Sequence, residues 1–128
     1  MTGWRWVFVA AAVFNVAVGA ALLVDPARFL PATGPIAPRE AFFTETAALL
    51  ILVFGLGYAM VARHPQAHAG IVFLGLVGKA MMPIIAGIHF MRGDIPRDAF
   101  LLSLGDLVFA ALFLVYLLRS GALRIGAR

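Results

Sequence analysis

Four long apolar runs, separated by short polar segments, dominate the pattern of the chain. A helix needs about 20 apolar residues to cross a hydrocarbon layer of roughly 30 Å, and each run has that length. The strands of a membrane barrel are shorter, about 9 to 11 residues, and alternate in polarity, a pattern that the runs lack. The sequence therefore predicts four transmembrane helices, over residues 5–24, 41–62, 70–91 and 99–118.

The segments between the runs carry residues that end or start helices. Asp25-Pro26 ends the first run, because proline restricts the residue before it and cannot continue a helix. The loop that follows is rich in proline, so we expect it to be extended and turn-rich rather than helical, with Phe29 and Leu30 at the membrane interface. The later links have about six to eight residues, which makes helices two and three, and three and four, antiparallel neighbours. Asp98 is the expected N-cap of the fourth helix.

Composition places these helices in lipid. The chain has 128 residues, of which 63% are hydrophobic and 12% charged, against roughly 45 to 50% and 25% in soluble domains. A fold this small leaves much of its surface exposed, so it cannot bury that many apolar side chains away from water. We predict a single domain over residues 1–128, an all-α integral membrane protein folded as an up-down four-helix bundle. The absence of cysteine excludes disulfides, thiolate metal sites and cysteine nucleophiles.

The charges indicate how the bundle is oriented. The formal net charge is +4, and the arginines stand singly at the ends of the apolar runs, where they meet lipid headgroups rather than nucleic acid. The side that holds both termini carries five of them: Arg5, Arg63, Arg119, Arg124 and Arg128. The opposite side carries four arginines and four neutralising acids: Arg28, Arg39, Arg92, Arg97, Asp25, Glu40, Asp94 and Asp98. We therefore predict a multi-pass protein of the inner (plasma) membrane with both termini cytoplasmic.

One strongly polar residue remains inside each predicted helix: Asn15, Glu45, Lys79 and Asp106. Ionisable groups at that depth cost about 2.5 to 3.5 kcal/mol each on insertion scales, so they mark a function or a specific pairing. A rise of about 1.5 Å per residue places the four roughly 6 to 18 Å below the face away from the termini. We expect one intramembrane polar layer, which His89 joins from the outer side because it lies nearly in line with Lys79 on the third helix.

Two interpretations of this layer stay open. In the structural one, Lys79 and Asp106 form an ion pair, Asn15 adds a hydrogen bond, and the group fixes the register of the bundle. In the functional one, Glu45 is a surplus acid that is free to change its charge, with His89 close by. Such a group suits proton-coupled binding or the polar head of a small ligand.

Other polar features point to local structure. Pro83 removes the amide that would bond to the carbonyl of Lys79, so we expect a kink or local opening at that point. His64 and His68 have the spacing of metal ligands on a helix, but Pro65 between them predicts a loop. Patterns for a metal site, a haem, a catalytic triad or a phosphate loop are absent from the sequence. We therefore predict no metal, no cofactor and no catalytic residue.

Several segments resemble a known family. The first helix carries an asparagine and ends in DPARFLP, the second runs FGLGYAMVARHP, and the third contains GLVGKAMMP. Together with four membrane helices in a short chain, these features resemble the small bacterial DoxX-like membrane proteins over the whole length. Some members of that group are subunits of membrane oxidoreductases that pass electrons to quinones. The absence of cysteine argues against thiol-based chemistry in this chain.

Three functions are compatible with these observations. The first is a membrane protein whose polar layer binds a small amphipathic ligand or a proton-coupled solute. The second is an accessory subunit that packs against a larger respiratory or transport complex, or against further copies of itself, with a purely structural layer. The third is a membrane enzyme on lipid-like substrates, with Glu45 or Asp106 as base and Lys79 as electrostatic stabiliser. A cavity beside the layer favours the first, and a tight bundle favours the second.

The predicted topology has a direct test by cysteine labelling. A thiol reagent that cannot cross the membrane should modify a Pro96→Cys variant in intact cells, because Pro96 lies in the link predicted to face outside. It should leave a Gln66→Cys variant unmodified until the cells are opened. Labelling of Gln66→Cys alone in intact cells would invert the orientation.

Overall fold

The structure, a computed structural model, describes residues 2–29 and 36–123. Within these ranges the chain forms no strand and four long helices: α1 (Thr2–Val24), α2 (Pro38–Arg63), α3 (Ala69–Met91) and α4 (Arg97–Ser120). Each of them is long and apolar enough to cross a membrane. The predicted all-helical fold with four helices of membrane-spanning length is confirmed, and every predicted end lies within three residues of the observed one.

Proline sets the ends of α1 and α2. α1 ends at Val24, directly before Asp25-Pro26, as predicted. α2 begins at Pro38, three residues before the predicted start, because proline is favoured in the first helical turn, where its missing N–H needs no partner. The expected extended loop is wrong at Pro26–Arg28, which forms one turn of 3-10 helix. Leu30 and the rest of residues 30–35 lie outside the described residues.

The start of α4 corrects one expectation, and the end of α2 confirms another. Asp98 is not the N-cap of α4, which begins at Arg97 after Pro96 and has no side-chain cap. Asp98 lies in the first turn instead, where a carboxylate faces the positive end of the helix dipole. α2 ends at Arg63 and a turn follows, so the predicted loop over His64 and His68 is confirmed.

The four helices pack as two closely associated antiparallel pairs, α1 with α2 and α3 with α4. Small residues allow the close approach of α1 and α2, since a Cβ added at Gly55 would lie 3.3 Å from the backbone nitrogen of Val16. α2 and α3 also run antiparallel, but their backbones meet far less than those of either pair. The short link between α2 and α3 therefore joins the two pairs without making these helices the closest neighbours.

The hydrophobic core occupies only one half of the bundle. We call this the terminal half, because it holds the start of α1 and the end of α4, and the other half the distal half. The core residues are Phe8, Ala11, Ala12, Tyr58, Val61, Ala62, Val72, Phe113, Tyr116 and Leu117. Aromatic rings dominate it, with the Phe8 and Tyr116 centroids 5.0 Å apart and edge to face. None of the described residues of the distal half belongs to this cluster.

The tight core predicts a sharp difference between two glycines of α3. A Cβ added at Gly75 would lie 2.6 Å from the Tyr58 hydroxyl oxygen and 3.0 Å from Phe113, both almost fully buried, whereas one added at Gly70 meets nothing within 4 Å. Gly75→Ala should therefore lower the free energy of unfolding by about 1 to 3 kcal/mol, the usual cost of overpacking a core. Gly70→Ala is the matched control and should not destabilise. Unfolding followed by circular dichroism in detergent measures both, and equal stabilities would contradict the packing described here.

Candidate functional site

A buried lysine lies at the centre of the bundle. The Lys79 ammonium on α3 donates a hydrogen bond of 2.7 Å to Asp106 Oδ1 on α4 and one of 2.8 Å to Asn15 Oδ1 on α1. The Lys79 side chain retains 6% of its accessible surface, so water contributes little to its solvation. Because an isolated charge would be very costly in this position, the Asp106 carboxylate is what allows Lys79 to be charged there.

Asn15 extends this contact to the fourth helix. Its amide nitrogen donates a 3.1 Å hydrogen bond to the backbone carbonyl of Ile51 on α2. A carbonyl oxygen has two lone pairs, so Ile51 can accept this bond in addition to the one within its own helix. One chain of hydrogen bonds, which we call the polar cluster, thus runs from Ile51 through Asn15 and Lys79 to Asp106 and connects all four helices.

Three aromatic rings surround the ammonium group on its remaining sides. The Lys79 nitrogen lies 5.1 Å from the ring centroid of Phe14 and 5.4 Å from those of Tyr58 and Phe109. At these distances the electron-rich faces of the rings attract a cation. The geometry favours an ion pair of Lys79 and Asp106 with a largely apolar surround.

A cavity of about 240 Å³ lies directly beside the polar cluster. Polar side chains line one wall: Asn15, Lys79, Ser103 and Asp106. The other walls are mostly apolar: Phe14, Val18, Leu50, Ile51, Phe54, Tyr58, Leu74, Gly75, Gly78, Met82, Ala99 and Leu102. We call it the Lys79 cavity. Leu50 on α2 and Leu74 and Met82 on α3 are exposed, so its mouth lies between α2 and α3 on the outer surface of the bundle.

Two polar groups in the cavity wall have unused hydrogen-bonding capacity. Only one carboxylate oxygen of Asp106 is engaged by the described residues, and 20% of this side chain is exposed. The Tyr58 hydroxyl makes no hydrogen bond in the part of the chain that the structure describes. The cavity therefore offers an acceptor at Asp106 and a donor or acceptor at Tyr58 to a molecule inside it.

Glu45 and His89 do not join the polar cluster, so the expected layer of five residues is wrong in these two positions. Glu45 is exposed, lies outside the cavity wall and has no hydrogen-bond partner among the described residues. It precedes Ile51 by six residues, which at about 1.5 Å and 100° per residue puts it roughly 9 Å further out and 120° around the helix. His89 instead contacts Asp94, with 2.9 Å between Nδ1 and Oδ2.

The proline of α3 lies beside the cavity. α3 continues without a break through Pro83, so no local opening of the helix is observed. Pro83 has no N–H, and the carbonyl of Lys79 is therefore without its usual donor four residues later. Met82 lines the cavity near its mouth.

Two parts of the site are not predicted by the sequence: the aromatic rings around the Lys79 ammonium group and the Ile51 carbonyl that accepts from Asn15. A signal existed for Phe109, because it follows Asp106 by three residues and so shares its helix face. Phe14 and Tyr58 carry no such signal, since their approach to Lys79 depends on how α1, α2 and α3 are spaced. A backbone carbonyl is present at every position, so the choice of Ile51 cannot be read from residue types.

Comparisons of this chain with family models, with curated proteins and with solved structures find no match. Within residues 2–29 and 36–123, His, Asp and Glu side chains form no group of three or more that could hold a metal ion. The function of the site therefore has to be inferred from its geometry.

The ion pair predicts a strong coupling between Lys79 and Asp106. Lys79→Met alone leaves a buried carboxylate unpaired and should destabilise the protein by about 3 to 5 kcal/mol, whereas adding Asp106→Leu should recover much of that loss. Reversible unfolding in detergent gives the coupling energy. Asp94→Asn, outside the cluster, serves as the control partner and should add to Lys79→Met without coupling. Additive losses for Lys79 and Asp106 would show that the two do not interact.

Proposed function

We propose that this protein is a multi-pass membrane protein that binds a small amphipathic molecule in the Lys79 cavity. The observation that carries the proposal is the coincidence of the cavity with the polar cluster. An apolar space with a few convergent polar groups at one wall is the usual form of a small-molecule site. The polar wall orients the head of the ligand, and the apolar walls hold its body.

The charge balance of the polar cluster determines which ligand head group can bind beside it. Lys79 already neutralises Asp106 at 2.7 Å, so the polar cluster carries no net charge. A cationic or anionic head would bring a second, uncompensated charge into a low-dielectric site, at a high cost. A hydroxyl group adds no charge and can donate to the unused oxygen of Asp106. We therefore propose an uncharged ligand with a hydroxyl head.

The size and position of the cavity describe the rest of the ligand. An apolar cavity of 150 Å³ holds a benzene molecule, so 240 Å³ corresponds to about ten non-hydrogen atoms. Because the mouth lies between α2 and α3 on the lipid-facing surface, the ligand reaches the site from the hydrocarbon layer rather than from water. A medium-chain or ring-containing alcohol has the required size and polarity.

The remaining features of the proposal rest on sequence patterns. The arginine distribution supports insertion in the inner membrane of a bacterial cell with both termini cytoplasmic. The motifs DPARFLP, FGLGYAMVARHP and GLVGKAMMP support membership of the DoxX-like membrane proteins. Neither feature is needed for ligand binding in the Lys79 cavity.

The alternative functions receive less support from the geometry. A purely accessory subunit was expected to be a tight bundle, and the cavity beside the polar cluster favours ligand binding instead. The geometry does not support proton-coupled binding through Glu45, because this residue lies outside the cavity wall. An enzymatic base at Asp106 is disfavoured by its ion pair with Lys79, because Oδ1 of this carboxylate already accepts a hydrogen bond from the ammonium group.

Photolabelling tests the proposed site. An eight-carbon alcohol with a diazirine group should label α2 and α3 at the cavity mouth, around Leu50, Leu74 and Met82, in the reconstituted protein. Excess octan-1-ol should reduce this labelling severalfold and excess octane should not, because only the alcohol can bond to Asp106. Mass spectrometry of the labelled peptides locates and quantifies the modification.

Two leucine substitutions on α3 provide matched variants. Gly78→Leu places a side chain in the cavity wall, where a Cβ meets nothing within 4 Å, and should abolish the protected labelling without unfolding the protein. Gly70→Leu adds the same side chain to open space outside the cavity and should leave the labelling unchanged. Equal protection by octane, or protected labelling that survives Gly78→Leu, would refute the proposed ligand site.

A further inference from the structure

A second concave surface lies in the distal half, between α1 and α4. It has a volume of about 600 Å³, and we call it the α1–α4 groove. Its walls are apolar: Phe14, Ala17, Val18, Ala21, Phe29, Leu101 and Leu102. Its rim carries two charged side chains, Arg28 from the segment after α1 and Asp98 from the first turn of α4.

The packing of α1 and α4 explains why the groove exists. In the terminal half, large rings fill the space between these helices, as where the centroids of Phe8 and Phe113 lie 5.3 Å apart. In the distal half, α1 presents Ala17 and Ala21, which are too small to reach α4. The backbones of α1 and α4 meet at few points, so this space stays open to the surroundings of the bundle.

Two exposed charged side chains lie at the rim of the groove. Arg28 and Asp98 are exposed, and neither takes part in a salt bridge among the described residues. Both lie at the face of the bundle where α1 ends and α4 begins, the level at which a membrane helix would meet lipid headgroups. The rim therefore presents one positive and one negative group at the edge of an apolar groove.

We infer that the α1–α4 groove binds a phospholipid with a zwitterionic, primary-amine headgroup, that is, a phosphatidylethanolamine. The guanidinium of Arg28 fits a phosphate, with which it forms paired hydrogen bonds. The ammonium of the headgroup fits the carboxylate of Asp98, to which it can donate. One acyl chain lies along the apolar walls formed by Leu101 and its neighbours.

Other common phospholipids match the rim less well. Phosphatidylglycerol has a phosphate for Arg28 but no cation, so its negative charge leaves Asp98 unpaired and repels it. Phosphatidylcholine carries a cation, but its quaternary ammonium has no N–H to donate to Asp98. The groove should therefore discriminate by headgroup and not only by the apolar area that it covers.

The experiment uses the full chain in vesicles of equal parts phosphatidylethanolamine, phosphatidylcholine and phosphatidylglycerol with identical acyl chains. After gentle extraction, native mass spectrometry counts the lipids that remain bound. Phosphatidylethanolamine should be retained about two- to fivefold more than either competitor, the preference expected from one partly exposed ion pair. Equal retention of the three lipids, or a preference for phosphatidylglycerol, would overturn the inference.

Three variants and a photoreactive lipid assign the two contacts. Arg28→Gln should reduce retention of all three lipids, because each has a phosphate, and Asp98→Asn should remove only the preference for phosphatidylethanolamine. Arg97→Gln changes a neighbouring exposed arginine that does not line the groove and is the control.

A phosphatidylethanolamine with a diazirine in its acyl chain should label Leu101 and Phe29. Persistence of the preference in Asp98→Asn, or labelling confined to the α2–α3 mouth, would refute the site without bearing on the Lys79 cavity.

Discussion

The need to neutralise one buried ammonium group governs how the four helices are arranged. The Lys79 side chain is almost fully buried, so Asp106 must lie within hydrogen-bonding distance, and this requirement fixes the register of α4 against α3. Asn15 transmits the constraint to α1, and its bond to the Ile51 carbonyl transmits it to α2. A bundle held by apolar contacts alone has many registers of similar energy in lipid, where the hydrophobic effect does not drive helices together.

The polar cluster also divides the bundle into two regions with different properties. On one side of it, aromatic rings fill the terminal half closely, as Phe8, Phe113 and Tyr116 show. The α1–α4 groove lies on the other side, and the Lys79 cavity lies beside the cluster itself, with Tyr58 and Gly75 in its wall. The terminal half thus provides a closely packed base, and both concave surfaces lie at or beyond the polar cluster.

The sequence allowed the helices to be predicted closely, because membrane length and proline positions act locally and leave few choices. It also brought Lys79, Asp106 and Asn15 into one group, since a buried charge has few ways to be compensated. The prediction of the polar layer is wrong for Glu45. Residues at a similar depth in the bundle need not lie close together, because the direction of a side chain around its helix decides what it meets. The Lys79 cavity could not be predicted from the sequence, because its volume depends on the distance between α2 and α3, which no residue pattern encodes.

Phe14, Val18 and Leu102 belong to the walls of both the Lys79 cavity and the α1–α4 groove. They are the partition between the two spaces, and Phe14 also lies against the Lys79 ammonium. A molecule in either space would contact the same three side chains. Any free-energy linkage between the two spaces is reciprocal by thermodynamic necessity, so binding in one would change the affinity of the other by the same factor in both directions.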